Sequence, residues 1–424
     1  MKKVSWAVIV VLIGLVMVAC NSQATTSNDP VEFMLEPNTI TVEIAEKQAQ
    51  DLTVAYEWVP SRRHVSILSV GDIMAHKVQL DTAWSQEGYD FTDQFAAIAP
   101  VIQSRDFAIG NIETVFAGEA ARYSGANMIF NSPDSLAEAV KEAGFDILTT
   151  ANNHSLDRGY LGIERTIEVL KALDLKYTGT ARTQEEADQI LTFEEDGISF
   201  ALLSYSYSTN GWPMPTGHPY ALNMIDDDKI VEDIKRARAL GVDFVLVAPH
   251  WGLEYHLDEN IHQQRLTEKM FFAGADIVLG SHPHVIQPFE HKKMVDASGQ
   301  ERDKFIIYSQ GNFISGQMTY PRAIGMHITF DFLKINDGQA YVDEVSVMPT
   351  YVEYKKVNNI RHMRILDTSK AVEAYEAGQL DISEGLARDL TTYKEDFVAH
   401  IASKSDFEPY LNDRGDYVIY KKEN

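Results

Sequence analysis

From His64 onward, short apolar runs recur, and nearly every one stops at polar residues with turn chemistry. They read "VSILSVGD", "DFAIGNIET", "FDILTTANNH", "ISFALLSYSY", "DFVLVAPHWG", "ADIVLGSHPH" and "KFIIYSQGN". Short apolar runs bounded this way predict buried strands. Between several of them, apolar positions return every three or four residues, as in "SLAEAVKEA", "GIERTIEVLKAL" and "DKIVEDIKRARAL". That is the spacing of one helix face. Alternating strands and helices predict an α/β fold. Later, "GMHITFDFL" and "AYVDEVSVMPTYVEY" follow each other with no helix between them. The sheet is therefore mixed, or split into two packed sheets. From about Lys355 the pattern weakens, and "LARDLTTYKEDFVAHIA" predicts one helix with Leu386, Leu390, Tyr393 and Phe397 on its packing face. The expected organisation is one domain over 61–355 and a helical C-terminal extension, 356–424, packed on it.

The first 60 residues follow a different pattern. Lys2 and Lys3 precede an apolar run from Val4 to Ala19, then Cys20 and the polar "NSQATTSND". A charged start, a short apolar core and a small residue at the end form a signal-peptide layout. The lone cysteine directly after it resembles the lipobox of bacterial lipoproteins, with Cys20 the lipidated residue. The alternative is an uncleaved N-terminal anchor. Either way the expectation is an extracytoplasmic protein held at the bacterial cell membrane: signal peptide 1–19, then a tether over 20–60 in which "TITVEIA" forms a short strand. With no second cysteine there is no disulfide framework and no thiolate ligand in a metal site. The formal charge of −25 argues against nucleic-acid binding and against a basic membrane-contact surface. A polyanionic substrate would need a local basic or metal-rich site.

The strand ends carry the candidate chemistry. The first ends in Gly71-Asp72, the second in Asn111-Ile112-Glu113, the third in Asn153-His154 with Asp157 beyond, the fifth in His250-Trp251-Gly252 and the sixth in His282-Pro283-His284. Strands of one sheet end at a common edge, where ligands bind in α/β folds. Singly, Asp72 could cap a helix, and Asn153 or Asp157 could make a turn. Together they form an oxygen and nitrogen donor set suited to one or two divalent ions, Mn, Fe or Zn. Such ions stabilise oxyanionic transition states and activate water. Pro283 favours extended backbone before it, so His282 and His284, two apart, are expected to face one side. Glu254 and Tyr255, close after His250, are candidates for substrate contact. The run "SYSYSTNGWPMP" offers Tyr205, Tyr207 and Trp212 as a pocket wall or as core.

In order, "GDIM", "GNIET", "ANNHSLDRG", "HWGLEY", "GSHPHVIQP" and "YSQGNFISGQ" resemble the motif series of the CapA family, the capsule poly-γ-glutamate synthesis proteins, within the calcineurin-like metallophosphoesterases. The resemblance covers about residues 64–320. It implies a four-layer α/β/β/α sandwich with mixed sheets. It further implies Asp72, Glu113, Asn153, His250, His282 and His284 as metal ligands and His154 as the acid/base beside the leaving group, oriented by Asp157. Asn111, Asn312 and Gln317 would line the substrate pocket. Met74 departs from the metallophosphoesterase pattern, which usually opens with Asp-x-His, and Glu113 stands where those enzymes usually have a bridging Asp. His76, two residues beyond Met74, is a further candidate ligand. The implied function is a metal-dependent hydrolase acting on an anionic polymer such as poly-γ-glutamate. A non-catalytic, metal-dependent binding subunit of a membrane synthase or export complex is the alternative, and a small-substrate phosphoesterase a third.

Overall fold

The computed structural model describes residues 31–35, 38–43, 55–58, 60–126 and 128–423; the expected signal segment and Cys20 lie outside them. The chain divides into two units, Met1–Ser61 and Arg62–Asn424. In the first, strands Val31–Leu35, Asn38–Glu43 and Ala55–Trp58 form an antiparallel sheet with Asn38–Glu43 in the middle. The stretch expected to be a tether thus carries a small sheet. The alternating β-branched residues of "TITVE", which suit a pleated surface, supply most of its central strand.

The second unit is built on two mixed sheets. The larger runs Lys176–Thr178, Ile147–Thr149, Phe107–Ile112, Arg62–Ile73, Ile324–Ile335, Tyr341–Val357, Tyr417–Lys421 and Tyr410–Leu411. Its first four strands are parallel, and the remainder are antiparallel. The smaller runs Leu191–Glu195, Ile198–Ser206, Phe244–His250, Ile277–Leu279, Glu301–Ile307 and Phe289–Val295, with the middle four parallel. Successive side chains alternate faces, and both faces are buried. Ile67, Ile109 and Phe330 of the larger sheet share one cluster with Phe200, Leu246 and Phe305 of the smaller. Phe200 meets Phe332 edge-on across this interface at 4.9 Å. On the outer side of the larger sheet, Leu68 and Val70 pack against Leu136, Val140 and Leu170 of helices Asp134–Glu142 and Gly159–Ala172. On the outer side of the smaller, Val245 and Val247 meet Ile230, Ile234 and Met270 of helices Asp227–Ala239 and Ile261–Ala273. This is the expected four-layer α/β/β/α sandwich. Each such buried side chain stabilises the fold by about 1.5–3 kcal/mol.

Local signals start the helices. Asp226 accepts from Lys229 N at 2.9 Å. Asn260 and Gln263 form a reciprocal capping box, each cap worth about 1 kcal/mol.

The boundary expected at 355 falls inside a strand, Tyr341–Val357. Ile360–Asp367 and Tyr417–Lys421 then pair with that strand along the edge opposite Ile324–Ile335, so the segment after 355 completes the larger sheet. The expected helix exists as Glu384–Ile401, with Leu390 and Phe397 buried. The flanking strands were not expected because their partner lies far away in sequence.

Candidate metal centre

Both sheets deliver the C-terminal ends of their parallel strands to one location. Asp72 ends Arg62–Ile73. A Cβ on Gly71 would lie 1.9 Å from Gly311 O, so only glycine lets the chain at 310–311 pass there. Asp72 N donates to Gly311 O at 3.0 Å. Glu113 follows Phe107–Ile112, its N–H donating to Ile73 O at 3.0 Å. The Asn153-His154 turn is held by Asn152, whose Oδ1 accepts from His154 N at 3.1 Å. His250 ends Phe244–His250.

The route to His282 and His284 differs from the expected extended segment. His282 has φ 100° and His284 φ 59°, both in the left-handed region that non-glycine residues rarely adopt. The chain bends at each histidine, on either side of Pro283, and the two rings lie 5.8 Å apart. Their convergence comes from that bend and not from strand alternation.

The donor atoms form overlapping groups: the buried Glu113, His250 and His282; the buried Asp72, Glu113 and His284; and the half-buried Glu254 with His282 and His284, the atoms of each group within 4.8 Å of one another. Glu113 belongs to the first two. His284 Nδ1 lies 3.1 Å from Asp72 Oδ2, and His250 Nε2 lies 3.5 Å from Glu113 Oε1. Both Glu113 carboxylate oxygens and His282 Nδ1 are buried without a hydrogen-bond partner. Orphaned acceptors in a dry site are costly, and a divalent cation would satisfy them.

The titration behaviour points the same way. Burial pushes the Asp72 carboxyl up, but the hydrogen bond and charge of His284, with His250, hold it down at about 2. Burial, and then the Asp72 charge, raise Glu113 well above its usual value. Burial lowers His250 to about 3 and His282 to about 2. It also works against a charged His284, but Glu113 and Asp72 outweigh it and raise that ring to about 9. The neutral His250 and His282 rings and the ionised Asp72 are already in the ligand forms a metal requires, and a bound cation would draw the proton from Glu113 and His284.

The other expected residues take distinct positions. His154 Nδ1 is 2.8 Å from Asp157 Oδ2, and its Nε2 is 3.9 Å from Glu113 Oε1. Asn153 Oδ1 lies 2.8 Å from His250 Nε2. Asn111 was expected to meet substrate. Instead it is buried, its Nδ2 donating to Asp72 Oδ1 at 2.8 Å and its Oδ1 accepting from Thr149 Oγ1 at 3.2 Å. It positions Asp72, because its polar atoms are already engaged. Asn312 is wholly buried, donating to His284 O at 3.3 Å and Arg322 O at 3.0 Å. Gln317 Nε2 reaches the Tyr255 hydroxyl at 3.5 Å, and the Tyr255 ring lies 6.1 Å from that of His284. His76 stands outside the donor groups, edge-on to Phe130 at 4.8 Å, and Phe130 in turn stands edge-on to His154 at 4.6 Å. Met74 is buried.

Sequence reasoning missed Ser281 and Asn210. Ser281 Oγ is 2.9 Å from His250 Nδ1. Asn210 accepts from Asn153 Nδ2 at 3.1 Å, and its Nδ2 lies 3.4 Å from His154 Nε2. Asn210-Gly211 is a turn dipeptide, which marked a loop without indicating where it leads. Of the aromatic run, Tyr207 reaches the site, 4.3 Å from His282. Tyr205 is core, donating to Asp233 at 2.9 Å.

A family model described as "Bacterial capsule synthesis protein PGA_cap" matches residues 66–317, more than half of the chain and a stretch holding every expected site residue except Cys20. The chain belongs to this family of bacterial capsule synthesis proteins. Among curated relatives, it is similar to capsule biosynthesis protein CapA of Bacillus anthracis, 31% identical over 260 residues and 60% of each chain. It is also similar to PGA biosynthesis protein CapA of Bacillus subtilis, 28% identical over 251 residues, 58% of this chain and 62% of that one. The matched stretch thus spans less than two thirds of those relatives. Among solved structures, the NAD nucleotidase of Haemophilus influenzae aligns with a TM-score of 0.45 at 12% identity, over 79% of this chain and 60% of that one. Among the described residues, no helix is long and apolar enough to cross a membrane.

Proposed function

We propose that this chain is a metal-dependent hydrolase of the cell envelope, acting on an anionic capsule polymer of the poly-γ-glutamate kind or on its linkage. One observation carries the catalytic reading. His154 is held by Asp157 on one ring nitrogen, while its other nitrogen faces Glu113. A site that only bound a ligand would have no need of such a histidine. A divalent ion held by Asp72, Glu113, His250, His282 and His284 would supply Lewis-acid polarisation of the scissile oxygen and a water of lowered pKa. His154 Nε2 passes a proton to the leaving group, and Asp157 fixes the tautomer with the proton on Nδ1 and stabilises the charged ring. Ser281 Oγ holds the His250 ring through Nδ1, and Nε2, beside Asn153 and Glu113, is the nitrogen that would face the ion.

A second reading, a metal-dependent binding subunit of a membrane synthase or export complex, is favoured by Met74, an apolar side chain where metallophosphoesterases usually have an imidazole. The two separate by experiment. Metal-replete wild-type protein and His154→Ala are incubated with γ-linked glutamate oligomers and with small phosphoesters, and the products are followed by mass spectrometry. Cleavage of the oligomer by wild type and its loss in His154→Ala, with metal content unchanged, supports the hydrolase. Turnover of phosphoesters alone supports the phosphoesterase. Tight oligomer binding with no cleavage by either protein assigns the binding role. Attachment through a lipid on Cys20 is part of the proposal: Cys20→Ser should release the protein from the membrane fraction.

A further inference from the structure

Arg322 lies just past the family match at the mouth of the metal centre. Its guanidinium stands over the Tyr255 ring at 5.0 Å, and that ring neighbours the His284 ring at 6.1 Å. Asn312, which also donates to His284 O, holds the Arg322 backbone through its carbonyl at 3.0 Å. The location of Arg322 is therefore tied to the backbone of a metal-ligand candidate. Its side chain is half-buried and donates to Thr319 Oγ1 at 2.6 Å. Among the described residues no carboxylate forms an ion pair with it, whereas Arg105, Arg165, Arg182, Arg364 and Arg414 each have one. The chain carries a formal charge of −25, and the centre itself presents Asp72, Glu113 and Glu254. An anionic substrate approaching this surface is repelled unless a local cation receives it.

The geometry points to Arg322 as the specificity-determining residue that takes a substrate carboxylate beside the scissile bond, with the Tyr255 hydroxyl and Gln317 amide as its polar neighbours. The inference rests on the proposed reading and narrows it. The substrate carries a free carboxylate on the unit next to the bond attacked, as a γ-linked glutamate chain does at every residue. A guanidinium matches a carboxylate with two parallel N–H donors, which an ammonium cannot do. The face of Tyr255 keeps the fork flat and partly stripped of water.

The test is calorimetric titration of the metal-replete full chain with two probes, a γ-linked glutamate tetramer and the same tetramer with its α-carboxylates converted to carboxamides. Wild type is expected to bind the acid form at least tenfold more tightly. Arg322→Gln is expected to erase that preference, and Arg322→Lys to retain only part of it. The Arg322 contact that anchors the loop is made by its backbone carbonyl, so both variants keep the fold, checked by circular dichroism and metal content. Undiminished preference in Arg322→Gln overturns the inference and leaves the hydrolase reading standing. Wild type that binds neither probe overturns both.

Discussion

Gly280 offers a test of how tightly the fold holds its metal centre. It sits between strand Ile277–Leu279 and the bend carrying His282 and His284. A Cβ there would lie 2.0 Å from Tyr308 O, 2.6 Å from Tyr308 C and 2.8 Å from Trp251 Nε1. Its own φ is not in the left-handed region, so alanine meets no backbone penalty, and the whole cost comes from contact. The Gly280→Ala variant must push Tyr308 away by over an ångström. That opens the Gly280 N to Ile307 O bond at 2.8 Å, the Gln310 N to Gly280 O bond at 3.1 Å and the Trp251 Nε1 to Tyr308 O bond at 3.1 Å. Overpacking of about 1–3 kcal/mol and a weakened buried hydrogen bond of about 1–3 kcal/mol sum to about 2–6 kcal/mol. An unfolding entropy of about 2.1 cal/mol/K per residue over a unit of this size makes each kcal/mol worth a little over ~1 °C. The expected fall in Tm is about 3–8 °C, with loss of bound metal because the histidine bend moves with residue 280. Gly299→Ala is the matched control. It has φ +80° and nothing within 4 Å, so its cost is conformational, about 1 kcal/mol, and its Tm falls by about 1 °C with metal retained. Scanning calorimetry and elemental analysis of both variants decide the matter. Equal Tm values, or full metal in a destabilised Gly280→Ala, would refute the reasoning.

Three further predictions concern the site and its support. Adding Mn, Fe or Zn to metal-free protein should raise Tm, by about 2.7 kcal/mol of stability at a hundredfold excess over Kd. The His282→Ala/His284→Ala double variant should show no such rise; an equal rise in both places the metal elsewhere. Asp157→Asn should keep metal but lower turnover about tenfold or more, because a neutral bond replaces a charge-assisted one at His154; kinetics at wild-type level would show that Asp157 does not support the ring. Away from the site, burial pushes the Asp367 carboxyl up, but the His327 hydrogen bond and charge and the Lys370 N–H prevail and hold it below its usual 3.8. A depressed folded value contributes stability above the unfolded carboxylate range, and that contribution is lost as pH falls through the folded value. Asp367→Asn should therefore be less stable than wild type at neutral pH, with the gap closing in acid; a gap constant down to acid unfolding, followed by urea titration, would contradict this.

What the sequence made legible was whatever depends on local pattern. The parallel strands that reach the site were apolar runs ending at the residues they deliver, so Asp72, Glu113, His250 and the two histidines of 282–284 could be named together. The left-handed bend was not legible, since Pro283 speaks for extended backbone and nothing nearby announces φ > 0 at a histidine. Nor was the pairing of Ile360–Asp367 and Tyr417–Lys421 with Tyr341–Val357, because strand partners are set by tertiary packing and not by their own residues. Asn111 was misjudged for a related reason. The resemblance put it in the substrate pocket, while its amide is engaged inside the site. Asn210 reaches His154 across a long loop whose sequence signals only a turn.

The departure at Met74 bears on how many ions the centre holds. Met74 contributes no imidazole, and Phe130 keeps His76 edge-on and outside the donor groups, so no nearby histidine takes the missing place. The remaining donors divide unevenly. Glu113 with His250 and His282 offers two nitrogens and one oxygen, and Glu113 with Asp72 and His284 offers one nitrogen and two oxygens. Imidazole-rich sets suit Zn or Fe, and carboxylate-rich sets suit Mn or Mg. The second set is also the one whose histidine and carboxylate already satisfy each other, through the 3.1 Å contact of His284 Nδ1 with Asp72 Oδ2, and so have less need of an ion. The structure therefore predicts one tightly held borderline ion on the His250 and His282 side and a weaker, harder ion beside Asp72, the two sharing Glu113. A shared carboxylate makes the sites interdependent: Glu113→Gln should weaken both, whereas His250→Ala should empty the first and leave the second able to bind Mn. Metal counts near one per chain after dialysis and near two under excess Mn are the signature of that division, and equal retention of two ions through dialysis would show that Met74 removed nothing the centre needed.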